Sequence, residues 1–254
     1  MIARCRLKDN QIICTTLGTG VLVAPNRMVT ASHVINDPDA SKTLMQHLDG
    51  DIYYLIRHDD EGNWHYRYYK PTLNKGIFLY PEVDLAIFYL EDAFYADEKN
   101  TYLLKSDFIP VDIDFKTIGT EIGVLGYPMC SLDFKTDINS PKFGDVLLRA
   151  DSGIINCRYK TSESVSQYEF TVAFNPGNSG GPIFDMKTGK LISLVHGYRA
   201  IPIKMKILEL TKEEKIKFGV DLYEKDSYLD VVHASYSKGF ATPSFVTIFR
   251  QHKL

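Results

Sequence analysis

Between residues 2 and 198 the chain is cut into short apolar runs, and this pattern restricts the fold more than any other feature of the sequence. "IARCRL", "QIICTTL" and "TGVLVA" come first, with "KDN" and "LG" between them. "DIYYLIRH", "WHYRYYK", "DLAIFYL", "EIGVLGY", "DVLLRA", "GIINCRY", "QYEFTVAF", "GPIFD" and "KLISLVHG" follow. They are rich in Val, Ile, Tyr and Phe, and many alternate polar with apolar, the period of a half-buried strand. Strand signals recurring at roughly 8–15-residue spacing predict an all-β sandwich or barrel. Helical periodicity is sparse before residue 205.

Residues 199–236 differ. "TKEEKIKF" opens on Thr211 with Glu214 three positions on, a capping-box pattern that predicts a helix with a solvated, charged face. "SYLDVVHASYS" reads as a second short helix. "KGFATPSFVTIFRQHKL" then returns to a strand and closes with an amphipathic segment.

Composition narrows the function classes. With 44% hydrophobic and 24% charged residues the chain has ordinary globular composition, enough for a sizeable core. A net charge of −3 and a pI near 6.2 carry no footprint for nucleic acid. No run of 18 apolar residues predicts a membrane span. "MIARCRLKDNQIIC" lacks the apolar core and cleavage site of a signal peptide. Cys5, Cys14, Cys130 and Cys157 fit neither a zinc pattern nor a dense disulfide framework. Reduced thiols in a cytoplasmic protein are therefore expected, with Cys5 facing Cys14 across a hairpin as the alternative.

Three segments supply the parts of a nucleophilic site. In "GTGVLVAPNRMVTASHVI", His33 stands at the start of what reads as one helical turn. In "YPEVDLAIFYL", Asp84 opens an apolar strand. In "NPGNSGGPIF", Ser179 stands among glycines ahead of an apolar run. A serine nucleophile needs a base within reach and an acid to orient that base. It also needs backbone N–H groups aimed at one point to hold the oxyanion, which Gly177 and Ser179 are placed to offer. Each residue alone has an ordinary structural explanation as a cap, turn or loop residue; the ordered combination carries the reading.

These segments resemble the chymotrypsin-like serine peptidases, and within them the disulfide-free bacterial branch of HtrA proteases and glutamyl endopeptidases. "TASH" is similar to the family's histidine segment, "DLAIFYL" to the strand opened by its aspartate, and "NPGNSGGPIF" to its nucleophile signature, in the family's order His, Asp, Ser. The resemblance implies a double six-stranded β-barrel with short helices and a C-terminal helix. It divides a single peptidase domain into barrels at about 1–110 and 111–254, with a charged insertion at about 199–236. It implies an endopeptidase working through an acyl-enzyme, with His33 as general base, Asp84 as its orienting acid, Ser179 as nucleophile and the Gly177 and Ser179 amides as oxyanion hole. No metal or cofactor is implied. The partners implied are a protein or peptide substrate and a regulatory protein that restrains the enzyme; nucleic acid and membrane are not.

The sequence also departs from the family. Asn178 stands where zymogen-activated members have an aspartate that pairs with a new N-terminal amine, so activation by N-terminal trimming is not expected. "KGFATPSFVTIF" resembles the last strand and closing helix, so a PDZ domain of the HtrA kind is not expected either. By resemblance Ala173, Phe174, His196, Arg199 and Gly239 line the primary pocket. Ala173 at its base carries no charge and argues against a Lys or Arg preference. His196, with Arg199 nearby, favours Glu or Gln, whereas Phe174 favours a small apolar residue; His196 as a buried structural residue stays open beside both. The rival from another class is a catalytically silent protease-fold module that binds or regulates. An α/β-hydrolase esterase is excluded by the residue order and the lack of alternating helices.

Overall fold

The computed structural model describes the chain except for residues 9–10, 37–45, 59–63, 92–93, 96–107, 129–131, 134–141, 144–146, 162–164, 207–212, 214–215 and 217–227. Eighteen strands are described, as the alternating runs predict. They are β1 (Ile2–Lys8), β2 (Gln11–Gly18), β3 (Val21–Ala24), β4 (Arg27–Thr30), β5 (Ile52–His58), β6 (Trp64–Tyr69), β7 (Ile77–Tyr80), β8 (Leu85–Tyr89) and β9 (Phe94–Tyr95). β10 (Glu121–Gly126), β11 (Leu132–Asp133), β12 (Lys142–Phe143), β13 (Arg149–Lys160), β14 (Ser166–Phe170), β15 (Pro182–Asp185), β16 (Leu191–Leu194), β17 (Gly197–Lys206) and β18 (Tyr228–Phe240) follow. One helical turn, α1 (Ser32–Ile35), follows β4, and a closing helix, α2 (Val246–His252), follows β18.

The chain forms two compact units, Met1–Gly197 with Ser237–Leu254, and Tyr198–Tyr236. In the first, β2-β1-β5-β6-β9 and β3-β4-β8-β7 are two sheets. They share one core, in which Ile2, Tyr53 and Tyr69 from the first sheet meet Met28, Ile77 and Phe88 from the second. The downstream strands run β16-β15-β10-β13-β14-β18, and an antiparallel bridge from Ser193 to Ala241 brings the ends of that order together. This makes a nearly closed six-stranded barrel around Ile122, Ile155, Tyr168, Phe170 and Ile183. A further apolar cluster joins the two halves. Val21, Val29, Leu85 and Ile87 pack there with Leu191, Leu194, Phe240 and Phe249. The start of β8 and the end of β16 are thereby held side by side, and the candidate site lies on this seam.

The second unit holds most of β17 and the first part of β18, which are hydrogen-bonded neighbours. From Tyr228 on, the segment expected as a helix, "SYLDVVHASYS", is instead part of β18, and Ser227 lies outside the described residues. Its apolar residues fit either period, and a short apolar run does not distinguish helix from strand until a partner strand is known. Of the helix expected at Thr211, all but Glu213 and Ile216 falls outside the described residues, Thr211 and Glu214 included.

The cysteines correct a second expectation. Cys5 and Cys14 are direct partners in the β1–β2 hairpin, with Cα atoms 4.1 Å apart, and are joined as a disulfide. A cross-strand pair this close needs no backbone movement to bond. Cys157 is a free thiol, and Cys130 lies outside the described residues.

Candidate active site

Asp84 is the fixed point of the site. It follows a 3-10 turn, Pro81–Val83, in which Pro81 sets the first dihedral. It adopts a left-handed backbone, φ 49°, immediately before β8. For a residue other than glycine that conformation is uncommon, and Asp tolerates it better than most. The turn drives the side chain inward, where it is 7% exposed. Every oxygen of its carboxylate is used. Oδ1 accepts from the His33 backbone N–H at 2.9 Å and the Ser32 hydroxyl at 3.2 Å. Oδ2 accepts from His33 Nδ1 at 2.8 Å and also from His196 Nδ1. The Asp84 carbonyl takes the Ser32 N–H at 3.1 Å, so α1 is docked onto this one residue.

Burial alone would push the Asp84 carboxyl up. Hydrogen bonds from His196 and His33, with the charge these rings can carry, overcome that and hold it well below the ordinary carboxylate range. An ionised carboxylate can only accept, so both imidazoles carry their proton on Nδ1. The free Nε2 of His33 is then the basic nitrogen.

The serine turn is built by close approach. Gly177 has φ 96° and Gly180 φ 77°, conformations that side chains rarely adopt. A Cβ on Gly180 would stand 2.7 Å from Ala31 N and collide with Thr30 Oγ1, so the residue after Ser179 lies against the strand end that leads into His33. Thr19 N donates to the Ser179 carbonyl at 2.8 Å. Thr19 Oγ1 donates to the Gly177 carbonyl at 2.8 Å and accepts from Tyr127 N at 3.0 Å. The Gly180 and Val195 amides, bonded to Val195 O at 2.7 Å and Gly181 O at 2.9 Å, tie the turn to the segment that leads into His196. Among the described residues the amides of Gly177 and Ser179 have no acceptor, and no hydrogen bond joins Ser179 to His33. Asn178 is buried against Gly126, its N–H bonded to Asn175 O at 3.0 Å.

The expected pocket residues go to different places. His196, in the two-residue link between β16 and β17, points its Nδ1 at Asp84 and stacks edge-on against Phe240, 4.9 Å between centroids. Its ring is 5.6 Å from that of His33. Ala173 is exposed and lines a polar cavity of about 370 Å³ with Asn175, Asn178, Gly126, Arg149 and Asp151. Phe174 packs on the core near Phe170, and its N–H donates to the Ser237 hydroxyl at 3.1 Å. A Cβ on Gly239 would meet Ser193 Oγ and Leu194 O, so that glycine lets β18 lie flat against β16. Arg199 is on the part of β17 whose side chains fall outside the described residues.

Sequence reasoning missed the bond between His196 and Asp84, which are 112 positions apart. The only local signal was a histidine directly after an apolar strand. It also missed Thr19 and Thr30, which look like ordinary strand-end threonines. His33, Asp84 and His196 offer ligand atoms within 4.8 Å of one another, the one group of three or more such residues among those described that could hold a metal.

No helix among the described residues is long and apolar enough to cross a membrane. No curated protein matches the chain. Two solved structures show similarity to the chain. Neuropsin, a serine protease expressed in the limbic system of mouse brain, is 11% identical with a TM-score of 0.51, over 100% of this chain and 94% of that one. A serine-to-alanine mutant of Rv3671c from M. tuberculosis H37Rv, in its inactive form, is 13% identical with a TM-score of 0.49, over 98% of this chain and 85% of that one. At these identities the likeness to neuropsin speaks for the fold, which is the chymotrypsin-like β-barrel fold. The trypsin-like peptidase domain family matches residues 18–194, a span that contains His33, Asp84 and Ser179, and the chain belongs to that family.

Proposed function

We propose that the protein is a serine endopeptidase with His33, Asp84 and Ser179 as its triad. The observation that carries this reading is the Asp84 carboxylate, buried and ionised, gripping the His33 Nδ1–H at 2.8 Å. That bond fixes the tautomer in which Nε2 can take the serine proton and later return it to the leaving amine. The hydroxyl of Ser179 attacks the scissile carbonyl, and the C–N bond breaks as His33 protonates the amine. Water then hydrolyses the acyl-enzyme by the same route. The unbonded amides of Gly177 and Ser179 are the donors for the oxyanion. A hydrogen bond between serine and histidine is often long in a free enzyme and tightens with substrate, so its absence does not weigh against this reading.

The substrate is a protein or peptide, and on its motifs the chain is nearest the HtrA and glutamyl endopeptidase branch, set apart from a disulfide-free pattern by Cys5–Cys14. Because His196 Nδ1 is spent on Asp84, its reach into the primary pocket is confined to Nε2 and the ring edge. Nε2 alone then remains to meet a Glu or Gln at P1, and the uncharged Ala173 disfavours Lys or Arg. The buried Asn178, with no charge to pair, fits a chain active without N-terminal processing.

A fluorophosphonate probe tests the reading directly. Wild-type protein should be labelled at Ser179 and Ser179→Ala should not. An unlabelled wild type that is folded by circular dichroism would instead identify a silent binding module.

A further inference from the structure

We propose that His33, Asp84 and His196 form a zinc site, and that a bound Zn²⁺ switches the triad off. The two imidazoles converge on a single oxygen, Asp84 Oδ2, and the three ligand atoms lie within 4.8 Å of one another. Two imidazole nitrogens and one carboxylate oxygen are a set that Zn²⁺ prefers, with a water in the fourth position. The carboxylate is held from behind, because Oδ1 is bonded to the Ser32 hydroxyl and the His33 N–H. Outer bonds of that kind orient a ligating group and raise its affinity for metal. Phe240 supports the His196 ring from the side. Both histidine side chains keep over a quarter of their surface exposed, 29% for His33 and 26% for His196, so an ion has a way in and water can complete the shell.

Ligand bonds of about 2.0–2.1 Å around a tetrahedral ion separate neighbouring ligand atoms by roughly 3.3 Å. His33 Nδ1 stands 2.8 Å from Oδ2, so the ring has to retreat by only about half an ångström. The proton balance gives the consequence. Zn²⁺ takes the Nδ1 lone pairs, so each ring gives up its Nδ1 proton and takes one on Nε2, with no net proton lost. His33 then has no lone pair facing Ser179 and cannot serve as base. Metal binding rests on the geometry alone; the inhibitory effect also rests on the peptidase reading.

Ser179→Ala protein, which cannot digest itself, is titrated with ZnCl₂ by calorimetry and with Co²⁺ by visible absorption. One ion per chain and the intense bands of tetrahedral Co²⁺ are expected. Adding His196→Ala or His33→Ala should weaken binding at least tenfold, and His196→Gln serves if the alanine variant does not fold. No uptake, or uptake unchanged by substitution of both histidines, overturns the site. In wild type, Zn²⁺ should block fluorophosphonate labelling at the concentration that half-fills the site, and a chelator should restore it. Labelling that persists at saturating Zn²⁺ overturns the inhibition. A protein that never labels fails the peptidase reading, while the titration still decides the metal site.

Discussion

Asp84 combines three costs that proteins usually avoid together: a left-handed backbone, burial and a full charge. They persist because four donors meet the carboxylate. Asp84→Asn should keep the shape but present an amide where an acceptor is needed, favouring the wrong His33 tautomer. The expected fall in kcat is on the order of 10⁴, read with a peptide ester substrate. Stability should respond to pH in a definite direction. A carboxyl depressed in the folded state contributes stability that is present above its unfolded value, near 4, and is lost as pH falls through its folded value. Urea midpoints of wild type should therefore drop below about pH 4 more steeply than those of Asp84→Asn. The segments that hold His33, Asp84 and Ser179 are legible in the sequence because each residue stands at a strand or turn boundary inside a recognisable local pattern, and the structure joins the first two. His196 was legible as a candidate but not in its contact, because no local pattern says which carboxylate a strand-end histidine will meet.

At the scale of elements, the serine turn is held chiefly by what lies across from it. Thr19, between β2 and β3, uses one hydroxyl to bond both the Gly177 carbonyl and the Tyr127 amide. Thr19→Val keeps the shape and removes both bonds, including the one donated to the Gly177 carbonyl. A loss of about 1–3 kcal/mol in unfolding free energy is expected. Because the Gly177 peptide is then free to rotate, kcat should fall more than KM rises, which steady-state kinetics will show. An equal loss in both would mean the turn keeps its shape without the clamp. The strands are readable from period-two runs, whereas the first part of β18, from Tyr228, reads as a helix. The last four residues of that strand take their register from distant β14, where Gln167 pairs with Phe240 and Phe170 with Ser237.

For the whole molecule, the disulfide changes the argument about environment. Free thiols were the premise for a reducing compartment, and Cys5–Cys14 removes it, since such bonds persist mainly where conditions are oxidising. Thiol titration of denatured protein should gain two reactive groups on reduction, those of Cys5 and Cys14. The bond closes a sequence separation of 9, so Cys14→Ser should lower stability by up to about 2–3 kcal/mol in chemical denaturation.

The last helix carries a consequence for synthesis. Its His252 is clamped between Tyr80, just before the Asp84 turn, and Tyr89, at the end of β8, whose hydroxyl lies 2.7 Å from Nδ1. The two grips reach back 172 and 163 positions along the chain. On the ribosome those tyrosines emerge long before their partner does. A growing chain therefore lacks this brace beside the Asp84 turn until residue 252 has left the exit tunnel, and on the proposed function its triad would be completed only after its strands have emerged.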